Sequence, residues 1–238
     1  MTAATPCLTR RWGRRSGMRA RILALALAAC PAIIGPSPGS AATGQGAASR
    51  ATVEPDDPEI PARLTVGPEG RNLHLVGDLT AGVAVRLAGL LDAHPRIARL
   101  HLTSDGGLVA EGAAIGALVA ARGLETQVSD ACASACTLIF VRGRRRILAE
   151  GGRLGFHAPY TVAARGRMRP VDPAPERAAY RAAGLPPAFV ARALSVAPAA
   201  IWIPDAAQLC AAGIVTGLVG ADPGAPEPEP RPCGGRQP

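Results

Sequence analysis

Lysine is absent from this sequence, and aromatic residues are scarce. All 26 basic residues are arginines, so no lysine amine can serve as a base or a nucleophile. Aromatic residues make up 3% of the chain, against 48% for all hydrophobic residues. A sizeable core is therefore expected, but Ala, Leu, Val and Ile have to build it. The length of 238 residues allows one domain with tails.

A long apolar run is also missing near the N-terminus. Residues 22–29 form an apolar run far shorter than the ~20 residues of a transmembrane helix. It follows an arginine-rich stretch and precedes small residues that end in Ser40-Ala41-Ala42, which is typical of an export signal. Leu27-Ala28-Ala29-Cys30 also resembles a bacterial lipobox, whose cysteine is lipidated and becomes the mature N-terminus. We therefore predict that residues 1–42 are a leader, and that the protein is either free in the periplasm or a lipoprotein anchored to the membrane through Cys30.

Basic charge is concentrated in this leader. The whole chain has a net charge of +8 and a pI near 10.1, a balance that suggests a nucleic-acid partner at first sight. Residues 1–42 hold six arginines and no acidic residue, so most of the excess charge lies outside the predicted domain. We therefore expect that the protein has no nucleic-acid partner.

Composition and periodicity divide the rest of the chain into three parts. We predict a disordered linker over residues 43–60, a folded domain over 61–221 and a disordered tail over 222–238, where Pro-Glu repeats occur. Within the domain, alternating apolar segments and segments of helical periodicity succeed each other, which is typical of a single α/β domain with a largely parallel sheet. The predicted strands are 63–66, 72–76, 97–103, 126–128, 145–149 and 153–157, and the predicted helices are 81–94, 108–122, 133–141, 175–183 and 187–195.

Three features follow one another in an order that suggests nucleophilic catalysis. A strand ends in Ser104-Asp105-Gly106-Gly107, and paired glycines allow a sharp turn that leaves amide groups free to bind an oxyanion. Ser134 lies between two alanines at a predicted loop-to-helix junction, which leaves space around its hydroxyl. His157 is the only histidine after Ser134, and an imidazole is the usual base for a serine hydroxyl.

These residues resemble the Clp-protease/crotonase-like superfamily, in particular its exported bacterial members of the serine protease type. The segment from Leu100 to Gly112 looks like the family's strand and Ser-Pro-Gly-Gly turn, with Asp105 in place of the proline. Ala133-Ser134-Ala135 resembles the nucleophile site, and Phe156-His157 resembles the segment that carries the catalytic histidine. The resemblance is good over residues 97–160 and loose elsewhere in the domain. It implies repeated β-β-α units.

The resemblance also implies roles for individual residues. Ser134 is expected to be the nucleophile and His157 the general base, with an oxyanion hole formed by the N–H groups of Gly107 and Ala135. The implied function is that of an exported serine hydrolase, in particular a peptidase that forms an acyl-enzyme with a peptide or protein substrate. No cofactor is implied, and assembly into a homo-oligomer stays open.

The orienting acid of such a triad is not evident. In the family it precedes a Gly-hydrophobic-Val segment, and Gly213-Ile214-Val215 resembles that segment here. The matching position then falls near Ala200 or Ile201, which cannot orient a histidine, so Asp205 and Asp172 are the candidates for a substitute acid. Related membrane peptidases use a Ser–Lys dyad, which the absence of lysine excludes. A Ser–His dyad is therefore the predicted catalytic unit.

Four cysteines lie in the predicted domain and tail. Export favours disulfides, and these four permit three complete pairings, one of which joins Cys132 to Cys136 around Ser134. The alternative is that Cys136 is a small buried apolar residue. Their spacing is neither a redox motif nor a zinc motif, so no metal site is expected.

Two other functions remain open. The missing acid is also compatible with a catalytically silent domain used for binding or assembly, because one fold can host many functions. Acyl-thioester chemistry of the crotonase kind is a weaker alternative, because coenzyme A is cytoplasmic whereas this chain carries an export signal.

Overall fold

The computed structural model of the chain describes residues 61–220 and 229–234. The predicted leader with Cys30 and the predicted linker over 43–60 lie outside the described residues. No helix within the described residues is both long and apolar enough to cross a membrane.

The described chain alternates strands and helices as the periodicity predicted. The first half contains β1 (Arg63–Val66), β2 (Asn72–Val76), α1 (Val83–Ala93), β3 (Arg99–Ser104), α2 (Val109–Ala121), β4 (Glu125–Ala133) and α3 (Ala135–Phe140). The second half contains β5 (Arg146–Ala149), β6 (Arg153–Gly155), β7 (Tyr160–Ala163), a 3-10 turn (Ala164–Gly166), β8 (Arg167–Pro170), α4 (Ala174–Ala182), α5 (Pro187–Ser195), α6 (Ala206–Ala211), β9 (Gly217–Val219) and β10 (Arg231–Pro232).

Eight of these strands form one sheet in the described part of the chain. Its order is β1-β2-β3-β4-β5-β9-β10, and β6 pairs with the second half of β4. The strands from β2 to β9 are parallel, whereas β1 and β10 are antiparallel at the two edges. The predicted α/β class with a largely parallel sheet is therefore confirmed.

The core is aliphatic, as the composition requires. Alternate residues of β2 and β3 are buried, because successive side chains of a strand point to opposite faces of the sheet, whereas β4 is buried on both faces along most of its length. They join one cluster with buried residues of the helices, which includes Leu73, Leu75, Leu100, Leu102, Leu87, Ile115, Val119 and Ile139. Four aromatic residues gather in one place, where Phe156 contacts Tyr180, Phe189 and Trp202. Phe156 directly precedes His157, so this cluster holds the chain next to that histidine.

The fold differs from the prediction in four places, one of which is that helix α6 and strand β9 form where no element was predicted. Strand β4 has nine residues and continues to Ala133, because its second half pairs with β6. Strands β7 and β8 form a separate hairpin in a region for which only helices were predicted. Strand β10 and the Cys210–Cys233 disulfide attach residues 231–233, which fall inside the predicted tail, to the domain.

Candidate active site

The glycine turn after β3 packs directly against Ser134. A β-carbon on Gly106 would lie 2.7 Å from the Ser134 β-carbon and 2.9 Å from the Ala133 carbonyl oxygen, closer than real β-carbons approach other atoms. Gly106 also has a φ of 112°. Only glycine fits this position, because both the backbone conformation and the contact exclude a side chain.

Gly107, the second glycine of the turn, lies opposite Leu79 in the loop after β2, in an isolated parallel bridge. Leu79 donates its N–H to Gly106 O at 2.7 Å and accepts the N–H of Leu108 at 2.8 Å. This pairing does not use the N–H of Gly107, which lies between the two bonded residues. The turn is further held by Ser104, whose buried hydroxyl accepts the N–H of Gly106 at 3.1 Å. Within the described residues the Gly107 N–H is thus left out of the backbone pairing, and its part in an oxyanion hole stays a prediction.

Ser134 occupies a backbone conformation that non-glycine residues rarely adopt. Its φ of 52° and ψ of −127° are those of the first central residue of a type II′ turn, a position that favours glycine. Such a conformation costs on the order of 1–3 kcal/mol and persists only where the surroundings hold it. Ser134 sits at the sharp turn from β4 into α3, and it is half-buried. Strained residues of this kind cluster at functional sites.

Hydrogen bonds hold Ser134 from both sides. Its N–H donates to the Gly155 carbonyl oxygen at 2.9 Å, which ties the turn to β6. Its own carbonyl oxygen accepts the Thr137 N–H at 2.9 Å and the Thr137 hydroxyl at 2.6 Å. The nucleophile candidate is thus fixed both to the sheet and to the first turn of α3.

His157 follows the strand that pairs beside Ser134. Ala133 is paired with Gly155 in the β4–β6 register. Ser134 directly follows Ala133, and His157 lies two residues after Gly155. Its Nδ1 lies 2.8 Å from the carbonyl oxygen of Ala158. A carbonyl can only accept, so Nδ1 carries the proton and Nε2 of the neutral ring has a free lone pair. No hydrogen bond joins the His157 ring to Ser134 Oγ within the described residues.

The candidate orienting acids have other partners. Asp205 caps α6 by accepting the Gln208 N–H at 2.8 Å, and Gln208 returns a hydrogen bond to the Asp205 N–H. Asp172 is exposed and accepts the Ala174 N–H at 3.0 Å at the start of α4. Ile201, at the position that the resemblance assigned to the acid, packs its side chain against Gly155. Among the described residues, the His157 ring hydrogen-bonds to the carbonyl oxygen of Ala158 and to neither candidate acid.

A disulfide spans the turn that contains Ser134. Cys132 and Cys136 are bonded, with α-carbons 5.3 Å apart, and both residues are fully buried. Cys132 is the penultimate residue of β4, and Cys136 lies in the first turn of α3. The second disulfide, Cys210–Cys233, completes one of the three pairings that the sequence allowed.

The arginine cluster after α3 is used by the fold. Arg144 and Arg145 pair with the buried Glu125, at 2.9 and 3.6 Å. Arg146 donates to the carbonyl oxygens of Gly213 and Ile214, at 2.8 Å each. No group of three or more His, Cys, Asp or Glu side chains that could hold a metal occurs in residues 61–220 and 229–234.

Sequence reasoning missed three buried polar residues behind the turn. Thr137 is fully buried on α3, while Tyr180 and Glu176 on α4 are only 4% and 6% exposed. The Tyr180 hydroxyl lies 2.7 Å from Thr137 Oγ1. Burial raises the pKa of Tyr180 well above its usual value and also raises the pKa of Glu176. The spacing of Glu176 and Tyr180, four residues apart on one helix, was the available signal that both face the same way.

Comparison with known proteins supports the fold alone. No family model and no curated protein matches this chain. Among solved structures, ClpP1 from Listeria monocytogenes is similar at 16% identity with a TM-score of 0.52, covering 66% of this chain and 95% of that one. The ClpP protease catalytic domain from Plasmodium falciparum is similar at 16% identity with a TM-score of 0.51, covering 67% of this chain and 89% of that one. The chain therefore has a ClpP-like α/β fold.

Proposed function

We propose that this protein is an exported serine hydrolase, in particular a peptidase, in which Ser134 is the nucleophile. The observation that carries the proposal is the strained backbone of Ser134, held at the turn from β4 into α3 with the glycine turn packed against its β-carbon. A strained backbone at a serine that packs against Gly106 destabilises the fold, and such strain is typical of a side chain that is held in place for function. Its similarity to ClpP-type protease structures agrees with this role.

His157 would act as the general base through Nε2. The Ser134 hydroxyl proton passes to Nε2 as Oγ attacks the carbonyl carbon of the scissile bond. The Ala158 carbonyl, which accepts from Nδ1, fixes the tautomer in the way that a carboxylate does in a full triad. The bond between nucleophile and base would form in the substrate complex, as such bonds commonly tighten only there. A dyad supported by a carbonyl is expected to be slower than a triad, since a carbonyl carries no charge to stabilise the imidazolium.

The N–H groups of Gly107 and Ala135 would stabilise the tetrahedral intermediate. Gly107 N–H is not used by the pairing with Leu79, and Ala135 begins α3, where an N–H has no partner within the helix. The leaving amine takes the proton from His157 and departs, which leaves an acyl-enzyme on Ser134. A water then gives a proton to His157 and attacks the ester, which releases the acid and restores the serine.

The two disulfides are compatible with an extracellular or periplasmic location, because such bonds persist in oxidising compartments. We propose that residues 1–42 direct export and that the protein is either released into the periplasm or anchored through Cys30. Mass spectrometry of the mature N-terminus distinguishes the two forms, because an N-terminal lipidated Cys30 indicates an anchor. An N-terminus near residue 43 indicates release.

The experiment that tests the proposed activity is covalent labelling of the full chain with a fluorophosphonate probe. We expect the wild type to be labelled on Ser134, Ser134→Ala to be unlabelled and His157→Gln to be labelled much more slowly. Ser195→Ala is the matched control, because Ser195 is an exposed serine on α5. Equal labelling of the wild type and Ser134→Ala would reject the proposal and favour a catalytically silent domain.

A further inference from the structure

The buried hydroxyls behind the nucleophile turn form a directed chain of hydrogen bonds. Thr137 Oγ1 has one proton, and it lies 2.6 Å from the Ser134 carbonyl oxygen, which can only accept. The Thr137 proton is therefore donated to Ser134 O. Tyr180 must then be the donor in its 2.7 Å contact with Thr137 Oγ1. The direction runs from Tyr180 through Thr137 to the backbone of Ser134.

This chain acts on the peptide unit between Ser134 and Ala135. That unit is planar and trans, so its carbonyl oxygen and its N–H point in opposite directions. Fixing the oxygen of Ser134 over the first turn of α3 fixes the N–H of Ala135 toward the glycine turn. Ala135 N indeed lies 3.1 Å from the place where a β-carbon on Gly106 would be. The hydroxyl chain thus determines where one of the two oxyanion donors points.

Tyr180 also connects the turn to the segment that carries the base. Its ring is 4% exposed and packs against Phe156, with ring centroids 6.3 Å apart. Phe156 directly precedes His157 and is itself held by backbone hydrogen bonds with Trp202 in both directions, at 2.9 Å each. Burial keeps the phenol protonated over the accessible pH range because it raises the pKa of Tyr180. The donor at the start of the chain is therefore permanent.

We propose that Tyr180 and Thr137 are positioning residues, which hold the Ser134–Ala135 peptide so that the Ala135 N–H faces the oxyanion. This inference rests on the proposed hydrolase function. It assigns a role to α4, which contributes no residue to the nucleophile, the base or the oxyanion hole. It also gives a reason for a threonine at the third position of α3, where the hydroxyl strengthens a contact that the Thr137 N–H already makes at 2.9 Å.

The test compares variants that remove a hydroxyl and keep the shape of the side chain. Tyr180→Phe and Thr137→Val should each lower the fluorophosphonate labelling rate and the kcat for a peptide substrate by about tenfold, with KM unchanged. Losing an oxyanion donor altogether costs about 10²–10³ in kcat, and a misdirected donor should cost less. Thr137→Ser keeps the hydroxyl and should stay within about threefold of the wild type. The double variant should be no slower than the slower single variant, because both changes break one chain.

Thr126→Val is the matched control for a general loss of stability. Thr126 is also a fully buried threonine, and its hydroxyl donates at 2.8 Å to the carbonyl oxygen of Phe140 at the opposite end of α3. It should lower the free energy of unfolding as much as Thr137→Val does, without slowing the labelling. Equal labelling rates for the wild type, Tyr180→Phe and Thr137→Val would overturn the positioning role while the hydrolase stands.

A wild type that is never labelled would instead reject the hydrolase, and a structural measurement then decides the positioning role. Crystal structures of the wild type and the Tyr180→Phe/Thr137→Val double variant compare the Ser134–Ala135 peptide directly. We expect that peptide to rotate, or to occupy two orientations, in the double variant. An unchanged peptide with the Ser134 φ still near 52° would overturn the proposal.

Discussion

Gly106 and Ser134 are in direct contact, and a β-carbon on Gly106 would lie 2.7 Å from that of Ser134. The contact joins the end of β3 to the turn between β4 and α3, two segments 28 positions apart in the chain. Because the two segments touch, neither can shift without moving the other. Backbone hydrogen bonds also anchor each of them, Gly106 to Leu79 and Ser134 to Gly155. Ser134 and the glycine turn are therefore parts of one rigid arrangement.

The first prediction concerns this contact. Gly106→Ala should reduce labelling of Ser134 to background, because a methyl group at this position displaces the serine from the turn. It should also lower the free energy of unfolding by about 3 kcal/mol, because the methyl group causes a steric clash and alanine disfavours the positive φ of this position. Gly151→Ala is the control, since Gly151 has a φ of 83° with open space around it. That control should cost about 1 kcal/mol and leave labelling unchanged, and a similar loss of labelling in both variants would contradict the argument.

The second prediction separates the roles of the two disulfides. Cys132→Ala/Cys136→Ala should slow the labelling of Ser134 about tenfold, because the bridge spans the turn that presents the hydroxyl. Cys210→Ala/Cys233→Ala should leave labelling unchanged and lower stability more. Loop closure is worth about 2 kcal/mol for the short bridge and about 3 kcal/mol for the long one. Labelling rates and chemical denaturation of both double variants provide the measurements, and the reverse pattern would show that the short bridge is merely structural.

A third prediction concerns Glu125 at the other end of the sheet. Glu125 is 5% exposed and pairs at 2.9 Å with both Arg99 and Arg144. Glu125→Gln should lower the free energy of unfolding by about 3 kcal/mol, because it removes the charge of a buried carboxylate that pairs with the half-buried Arg99 and with Arg144. Asp130→Asn breaks the exposed pair with Arg153 and should cost less than about 1 kcal/mol. Urea denaturation measures both values, and equal costs would show that burial does not matter here.

The elements that could be predicted from the sequence are those with a strong local signal. Strands β1 and β2 have the predicted bounds, because their apolar residues alternate regularly between two turns. Helix α2 begins and ends within one residue of its predicted bounds, with Gly123 in the left-handed conformation after it. A helix start near Ser134 also follows from a local signal, because the run up to Val141 is apolar and lacks glycine and proline, although strand β4 and not the predicted loop precedes Ser134.

The parts that could not be predicted depend on contacts between distant segments. The length of β4 follows from its pairing with β6, and the order of the residues Ser-Asp-Ala-Cys gave no sign of a strand. The hairpin of β7 and β8 is rich in exposed residues and has no alternating pattern of burial. The hydroxyl chain from Tyr180 to Thr137 joins residues 43 positions apart, so no local pattern could indicate it. The four cysteines of the domain and tail allow three complete pairings, and no local pattern selects the one that contains the disulfide across Ser134.

The last prediction is a dependence of stability on pH that originates at Glu176. This residue is 6% exposed, and its Oε2 has no hydrogen-bond partner among the described residues. Burial and the nearby charge of Asp172 raise its pKa above the ordinary value for glutamate. The folded state therefore holds the proton more tightly than the unfolded state. This group adds stability below the ordinary pKa of glutamate and loses it as pH rises through the raised pKa.

Glu176→Gln replaces the carboxylate by a neutral group of the same shape, so the variant should be more stable than the wild type by about 1 kcal/mol at pH 8 and equal to it near pH 4. Thermal unfolding from pH 4 to pH 8 measures the difference, with the exposed Glu69→Gln as the control that should show no such trend. A variant that is less stable than the wild type at pH 8 would mean that the Glu176 carboxylate has a favourable partner in the folded protein.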